Sequence, residues 1–413
     1  MKIIYNIGII TAKYLLKIVA LFNSKIKLGV LGRKETFKIL DNSLQPSDKT
    51  LWFHCASLGE YEQGLPVFSA LRNLYPKHKI VLTFFSPSGY EIRKNTPVAD
   101  VVTYLPLDTP GNAKRFITQV NPELSVFVKY DIWPNFLLEL KKRDLNAILI
   151  SALFRKQQSY FKFYGGFMRQ ALFGFKHVFT QNEASKLLLE SINYTNVSIS
   201  GDTRFDRVSN QLKTDNTLPF IETFKQDNLC LVAGSTWPED EVYLTAYINT
   251  TEHKNLKFII APHNIKSQQI NQLKSGLQVK SILYSEMDAQ SLASAKVLII
   301  DTIGLLTKIY NYADIAYVGG AAGTTGLHNT LEPAVFGVPI IIGKHYEKFP
   351  EAQYMITNKS MFSISSQTEL NSIIDLLISD SNLRAQTGKA NAEFIKNNQG
   401  AVIHITNFLR KYF

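Results

Sequence analysis

From Leu51 onward short apolar runs alternate with longer amphipathic ones, and the series occurs twice, the pattern of parallel strands joined by crossover helices. In the first series the strand-like runs fall at 51–56, 80–85, 101–105, 124–128, 147–151, 177–180 and 196–199, with helical stretches between them, as at 60–74, 134–142 and 183–191. A polar stretch at 208–228 lacks clear periodicity and reads as a linker. The second series has strand-like runs at 229–233, 258–261, 297–300, 315–318 and 338–342, with helices expected from Pro238, Ile265, Ile303, Asn329 and Pro350. At 413 residues the chain exceeds what one core usually serves. The expectation is therefore an α/β protein of two Rossmann-like domains, 23–207 and 229–390, facing one another across a cleft at the strand C-termini. A helical stretch at 391–413 is expected to cross back onto the first domain.

Residues 1–22 are apolar enough to suggest a membrane span, yet Lys13 and Lys17 fall in the middle, where charge is expensive in hydrocarbon. Placed on a helix at about 100° per residue, Lys2, Asn6, Lys13, Lys17 and Ser24 share one narrow stripe, and Ile3, Ile4, Ile9, Leu15, Leu16, Val19 and Leu21 cover much of the rest. Such a helix lies in the interface with its lysines toward anionic lipid. Lys25, Lys27, Arg33, Lys34 and Lys38 extend the attraction. A span is the alternative, and the following lysines would then keep the body in the cytoplasm.

The net charge of +11 is localised, because residues 1–50 carry nine Lys/Arg against three acids and residues 137–176 carry eight against two. An anionic partner is implied, either a membrane surface or a phosphorylated substrate. Between 151 and 180 aromatics such as Phe154, Tyr160, Phe163 and Phe167 interleave with Arg155, Lys156, Lys162 and Arg169. Core packing takes most of these rings, and the basic surplus beside the N-terminal helix favours lipid over nucleic acid. Cys55 and Cys230 each sit in an apolar run and read as buried thiols of a reducing compartment; no zinc-ligand spacing occurs.

Each polar motif follows a predicted strand, the edge at which an open α/β sheet binds ligands. After 315–318 come Gly319, Gly320, Gly323 and Gly326, then His328, Asn329, Thr330, Leu331 and Glu332. Backbone N–H groups of such a loop, with the positive end of a helix starting near His328, would cradle a phosphate, and Glu332 would accept from two ribose hydroxyls. A capped, glycine-rich turn is the competing reading. Ser235 and Thr236, before Trp237 and Pro238, form a second helix start with possible phosphate contacts. Pro262 with His263, and Ile303, Gly304 and Leu305, follow two more strands. In the first domain Glu60 follows a strand at a helix start, as general base or as a helix-start acid. Asp131 stands beside Tyr130 and Trp133, and Arg204 lies between Asp202 and Asp206, where an ion pair with either is the simpler reading.

On these residues the chain resembles the 3-deoxy-D-manno-octulosonic acid (Kdo) transferases, inverting glycosyltransferases of GT-B fold. The HAxSxGE-like stretch at 54–60, WPN at 133–135, the GxxKFD-like stretch at 201–206, GST at 234–236, DTxG at 301–304 and HNxxEP at 328–333 occur in order over nearly the whole chain. The resemblance implies CMP-Kdo as donor, no metal or other cofactor, a lipid A precursor (lipid IVA) as acceptor in lipopolysaccharide biosynthesis, and work at the cytoplasmic face of the inner membrane. It makes Glu60 the base, gives Asp131 and Arg204 transition-state roles, and assigns CMP to Pro262, His263, Ile303, Gly304, Leu305 and the stretch from Asn329 to Glu332. Departures are Pro262-His263-Asn264 where members often carry Arg-His after the proline, Leu305 for Glu, Asp131 for Glu and Arg204 for Lys. A UDP-sugar transferase of the same fold, and a non-catalytic sugar-nucleotide-binding envelope protein, are the other readings.

Overall fold

The computed structural model describes residues 1–412. The chain forms two compact units, Met1–Arg207 with the stretch from Gln399 onward, and Val208–Asn398.

The first unit holds a seven-stranded sheet of β1 (Thr50–Cys55), β2 (Lys79–Phe84), β3 (Val101–Tyr104), β4 (Pro122–Val128), β5 (Asn146–Ala152), β6 (His177–Thr180) and β7 (Val197–Ile199), in the order β3-β2-β1-β4-β5-β6-β7. Neighbouring strands pair in parallel throughout. Helices cover both faces, so the strands read as continuous apolar runs. Alternate residues of β1 enter two cores. Trp52 packs against Phe116 and Phe127, each with ring centroids 4.9 Å away. Phe53 stacks on Phe68 at 4.4 Å, in a cluster that includes Ile405 and Leu409.

The second unit holds β8 (Leu229–Thr236), β9 (Leu256–Pro262), β10 (Ser281–Leu283), β11 (Val297–Ile299), β12 (Ile315–Val318), β13 (Ile340–Gly343) and β14 (Met361–Ile364), in the order β10-β11-β9-β8-β12-β13-β14, again all parallel. The edge strands β10 and β14 are additions to the sequence reading. The helices expected from Ile303 and Asn329 shrink to single turns, Leu306–Ile309 and Leu331–Ala334. The stretch at 208–228 is not a bare linker, because Pro219–Lys225 is a helix that buries Ile221 and Phe224 fully. Nor is 391–413 one helix. Ser381–Asn398 and Ala401–Tyr412 are separated at Gly400, which has a φ of +113°. Asp206 starts the second of these, accepting from the N–H groups of Gly400 (3.0 Å) and Ala401 (3.1 Å). Both cysteines are buried and free.

At the N-terminus two helices, Lys2–Val19 and Ser24–Ser43, replace the single expected one. The second lies close to the sheet because Gly32 is a glycine: a Cβ there would meet the Tyr104 ring at 2.3 Å. The first is held by polar bonds, Tyr5 Oη donating to Asp108 (2.7 Å) and Asn135 Nδ2 donating to Asn6 Oδ1 (3.0 Å). Asp108 also accepts from the N–H groups of Asn135 and Phe136, so the Trp133–Pro134–Asn135 motif anchors a helix start. The stripe with Asn6, Lys13 and Lys17 thus flanks the protein body, while Ile3, Ile4, Ile7, Ile10, Tyr14, Leu15 and Ile18 point outward and exposed. Among the described residues no helix is long and apolar enough to cross a membrane. In the aromatic-basic segment Phe154, Tyr160, Phe167 and Phe175 are core, and Phe163, at 94% exposure, is not.

Candidate active site

Two clusters hold the motif residues, each at the C-terminal edge of its own sheet. In the first unit Ser57 caps helix Leu58–Leu74, accepting from Gly59 N–H (3.2 Å) and donating its hydroxyl to Glu60 Oε2. This is the serine-to-glutamate spacing of a capping box, here with a direct side-chain bond. Glu60 is buried, in the first turn. Asp131, after β4, is buried as well and accepts from Ala56 N–H at 2.7 Å. Burial first, and the Glu60 charge second, push the Asp131 carboxyl up to about 8. His54 stands beside it with Nε2 unpartnered and 4.0 Å from Asp131 Oδ2. Full burial drives this imidazole down to about 3, so it is neutral and the contact is not an ion pair. Its Nδ1 lies 2.9 Å from Thr83 Oγ1. Asp131 thus holds its proton far above the usual carboxylate range, in a pocket it shares with Glu60.

A raised carboxyl pKa has a definite sign. Between about 4 and 8 the unfolded chain releases the Asp131 proton and the folded one keeps it, so stability falls as pH rises through that window. Asp131→Asn is expected to flatten this part of the pH–stability curve, read as chemical-denaturation midpoints at pH 5, 6.5 and 8. A wild-type slope that the variant keeps would assign the dependence elsewhere.

Arg204 does not lie open. Its Nε and Nη2 both reach Asp202 Oδ2 at 2.8 Å, and Gln63, one turn beyond Glu60, donates to the other Asp202 oxygen at 2.9 Å. Arg204 is thus tied to the Glu60 helix through Asp202 and Gln63. Lys129 (φ +67°) and Ser151 (φ +51°) are left-handed non-glycine residues at the exits of β4 and β5. Strain of this kind concentrates at functional edges.

In the second unit the loops after β8, β9 and β12 meet in a stack of rings. Trp237 lies 4.8 Å from His263 at 19°, and His263 lies 4.4 Å from His328. Trp237 Nε1 donates to His328 Nε2 at 2.9 Å, which leaves the His328 proton on Nδ1. Burial first, then His263, lowers His328 to about 4; burial lowers His263. Both rings are neutral at pH 7. Beside them Asn329 Nδ2 donates to Glu332 Oε1 (3.1 Å). The Glu332 charge raises the pKa of buried Tyr310 after burial itself has done so. Ser235 takes a left-handed φ of +53° and is half-buried. Ile303 is exposed and Gly304 (φ +96°) turns the chain before Leu305.

Several expected ligand groups are already engaged. The Gly320 N–H donates to Asp240 Oδ2 (2.8 Å), Gly326 N–H to Gly320 O (3.2 Å) and His328 N–H to Gly319 O (3.1 Å). These three amides are not available to a phosphate, and the one-turn helix Leu331–Ala334 supplies little dipole. Gly320 is a glycine because its φ is +97° and a Cβ would meet Gly326 O at 2.1 Å. Thr236 donates its hydroxyl to Glu241 (2.9 Å), while Thr330 and Leu331 are buried. Pro262 is half-buried at the end of β9. The sequence reading missed Asp240 and Trp237 as working parts. Both lie in the acidic helix start after Ser235, and nothing local marks the partners that Asp240 finds at Tyr317 and Gly320.

A family profile described as 3-deoxy-D-manno-octulosonic-acid transferase (kdotransferase) matches residues 32–207. The chain is 27% identical over 394 residues to the 3-deoxy-D-manno-octulosonic acid transferase of Haemophilus influenzae, covering 92% of this chain and 90% of that one. It is 28% identical over 335 residues to the same-named protein of Aquifex aeolicus, covering 79% and 86%. Among solved structures, UDP-GlcNAc 2-epimerase from Neisseria meningitidis superposes with a TM-score of 0.60 at 15% identity, over 88% of this chain and 100% of that chain. The glycosyltransferase CalG4 gives 0.54 at 11%, over 89% and 99%. These likenesses establish the two-domain GT-B type of fold.

Proposed function

We propose that the chain is a member of the 3-deoxy-D-manno-octulosonic acid transferase family and that it moves Kdo from CMP-Kdo to the sugar hydroxyl of a lipid A precursor, lipid IVA, in one inverting step. Glu60 accepts the proton of the acceptor hydroxyl as its oxygen attacks the anomeric carbon. The bond from that carbon to the CMP phosphate oxygen breaks, and CMP leaves with the electron pair. The observation that carries this reading is that Glu60 and Asp131 are both buried at the C-terminal edge of one sheet, held by Ser57 and by Ala56 N–H. Glu60, at the helix start with its carboxylate held by the Ser57 hydroxyl, is the base in this reading, and buried Asp131 is not. Arg204, fixed by Asp202, supplies positive charge on the same sheet edge as Glu60.

The nucleotide is held by the second unit. Asn329 and Glu332 suit ribose hydroxyls, and the neutral stack of Trp237, His263 and His328 offers a flat surface with His328 Nδ1–H as donor. Ser235, Pro262, Ile303, Gly304 and Leu305 line the adjacent strand exits on the same sheet edge. With Gly320 N–H bound to Asp240, the loop acts by shape more than as an anion cradle.

The work is done at the cytoplasmic face of the inner membrane, with the outward apolar side of helix Lys2–Val19 entering the lipid and its lysines level with anionic headgroups. The test of the activity is to give the purified full chain CMP-Kdo or UDP-sugars with a lipid A precursor and weigh the products. Only CMP-Kdo is expected to yield a mass increment. Transfer from a UDP-sugar would replace the donor assignment, and no product from any donor would favour a binding role.

A further inference from the structure

Between the two N-terminal helices a groove of about 190 Å³ opens, and its charges are of one sign. Lys13 and Lys17 reach it from the first helix, Arg33 and Lys34 from the second, and no carboxylate lines it. Leu16, Val30 and Leu107 give it an apolar floor. Arg33 is fixed by three backbone carbonyls, those of Gly29 (2.9 Å), Leu105 (3.2 Å) and Phe85. Its guanidinium also stacks 4.3 Å from the Phe85 ring centroid. Among the described residues no acid pairs with it or with the three lysines. A half-buried cation without a counter-charge, backed by three exposed ammonium groups, favours an anion.

We propose that this groove binds the phosphate of an anionic phospholipid, with the glycerol and first acyl carbons on the apolar floor. The proposal rests on the membrane reading given above and adds a discrete lipid site to it. On the helical wheel Lys13 and Lys17 lie between the body-facing side and the exposed Ile10–Tyr14 side, so the groove mouth is at headgroup depth when the apolar side enters the acyl region. Two of the three carbonyls that hold Arg33, those of Phe85 and Leu105, belong to the exits of β2 and β3, on the same sheet edge as Glu60 and Asp131. A lipid held there fixes the height of that edge above the bilayer.

The test uses the full chain and soluble short-chain lipids below their micelle concentration. Dihexanoyl phosphatidylglycerol, dihexanoyl phosphatidylcholine and inorganic phosphate are titrated by calorimetry. Phosphatidylglycerol is expected to bind saturably and more tightly than the other two. Each lysine near an anionic lipid contributes about fivefold, so the triple variant Lys13→Gln, Lys17→Gln, Lys34→Gln is expected to weaken it by about 100-fold. The matched variant Lys27→Gln, Lys38→Gln, Lys77→Gln should stay within about threefold, since none of these three lines the groove. Equal losses in the two triples, or no preference for phosphatidylglycerol over phosphatidylcholine, would overturn the site. Phosphate binding as tightly as the lipid would reduce it to a simple anion site and overturn the lipid assignment. The membrane reading is checked separately by sedimentation with neutral-lipid vesicles after Ile7→Glu and Ile18→Glu, which alter the apolar side and leave the groove lysines in place.

Discussion

Glu60→Gln is expected to lower the rate of sugar transfer by about 10²–10⁴-fold with donor affinity near its original value. The substitution is close to isosteric, and an amide oxygen still accepts from the Ser57 hydroxyl, so the start of helix Leu58–Leu74 keeps its bond. What is lost is the ability to receive a proton. A second readout follows from the neighbouring carboxyl. Since the Glu60 charge is the second cause of the raised Asp131 pKa, the Asp131 value should move down in the variant while burial still holds it above the ordinary range. The two measurements separate chemistry from folding. A variant that transfers sugar at a near-normal rate would remove Glu60 as the base, whatever its effect on Asp131.

The second large effect is expected at Asp240→Ala. This carboxylate is fully buried and accepts from Trp237 N–H (2.9 Å), Gly320 N–H (2.8 Å) and Tyr317 Oη (2.8 Å). Truncation strands three donors at about 1–3 kcal/mol each, although the costs of one network do not add fully. A loss of about 3 kcal/mol lowers the melting temperature of a domain this size by about 6–12 °C. Donor binding should weaken about tenfold as well, because the same carboxylate positions the Trp237 backbone and the glycine loop. Calorimetric melting with and without CMP checks both. A melt unchanged within about 2 °C would mean that water or a neighbour satisfies the donors.

Much of the fold was legible because burial on both sheet faces turns central strands into continuous apolar runs, and β1, β4, β5, β8 and β9 announce themselves that way. β10 has three residues and β14 only its two end residues buried, so neither makes a periodic signal. The helix expected after Asn329 is cut to one turn at its far end, where Gly337 stops the chain with a φ of +71°. At the site, Glu60, Asp131 and Arg204 were visible as polar residues at strand exits. Their partnership was not, because Asp202 meets Gln63 across 139 positions and Asp240 meets Gly320 across 80. The glycine loop had the composition of an anion cradle, and only the destination of its amides shows that part of that capacity is spent internally. The N-terminal lysine stripe was legible as a stripe, and Lys2, Lys13 and Lys17 are exposed; what periodicity could not give is that Tyr5, Asn6, Ile9 and Leu16 form the side that meets the protein.

Asp206 and the helix it caps, Ala401–Tyr412, bear on how the protein is made. Ile405 and Leu409 complete the core behind β1, yet in synthesis they emerge after the whole of Val208–Asn398. At about 5–20 residues per second the ribosome spends roughly 10–40 s on that interval. During it the first unit stands with one wall of its core missing and Leu51, Phe53 and Phe68 within reach of chaperones. The domain translated first is thus finished last, and shortening the chain before Ala401 should unsettle the N-terminal domain sooner than the domain next to the cut.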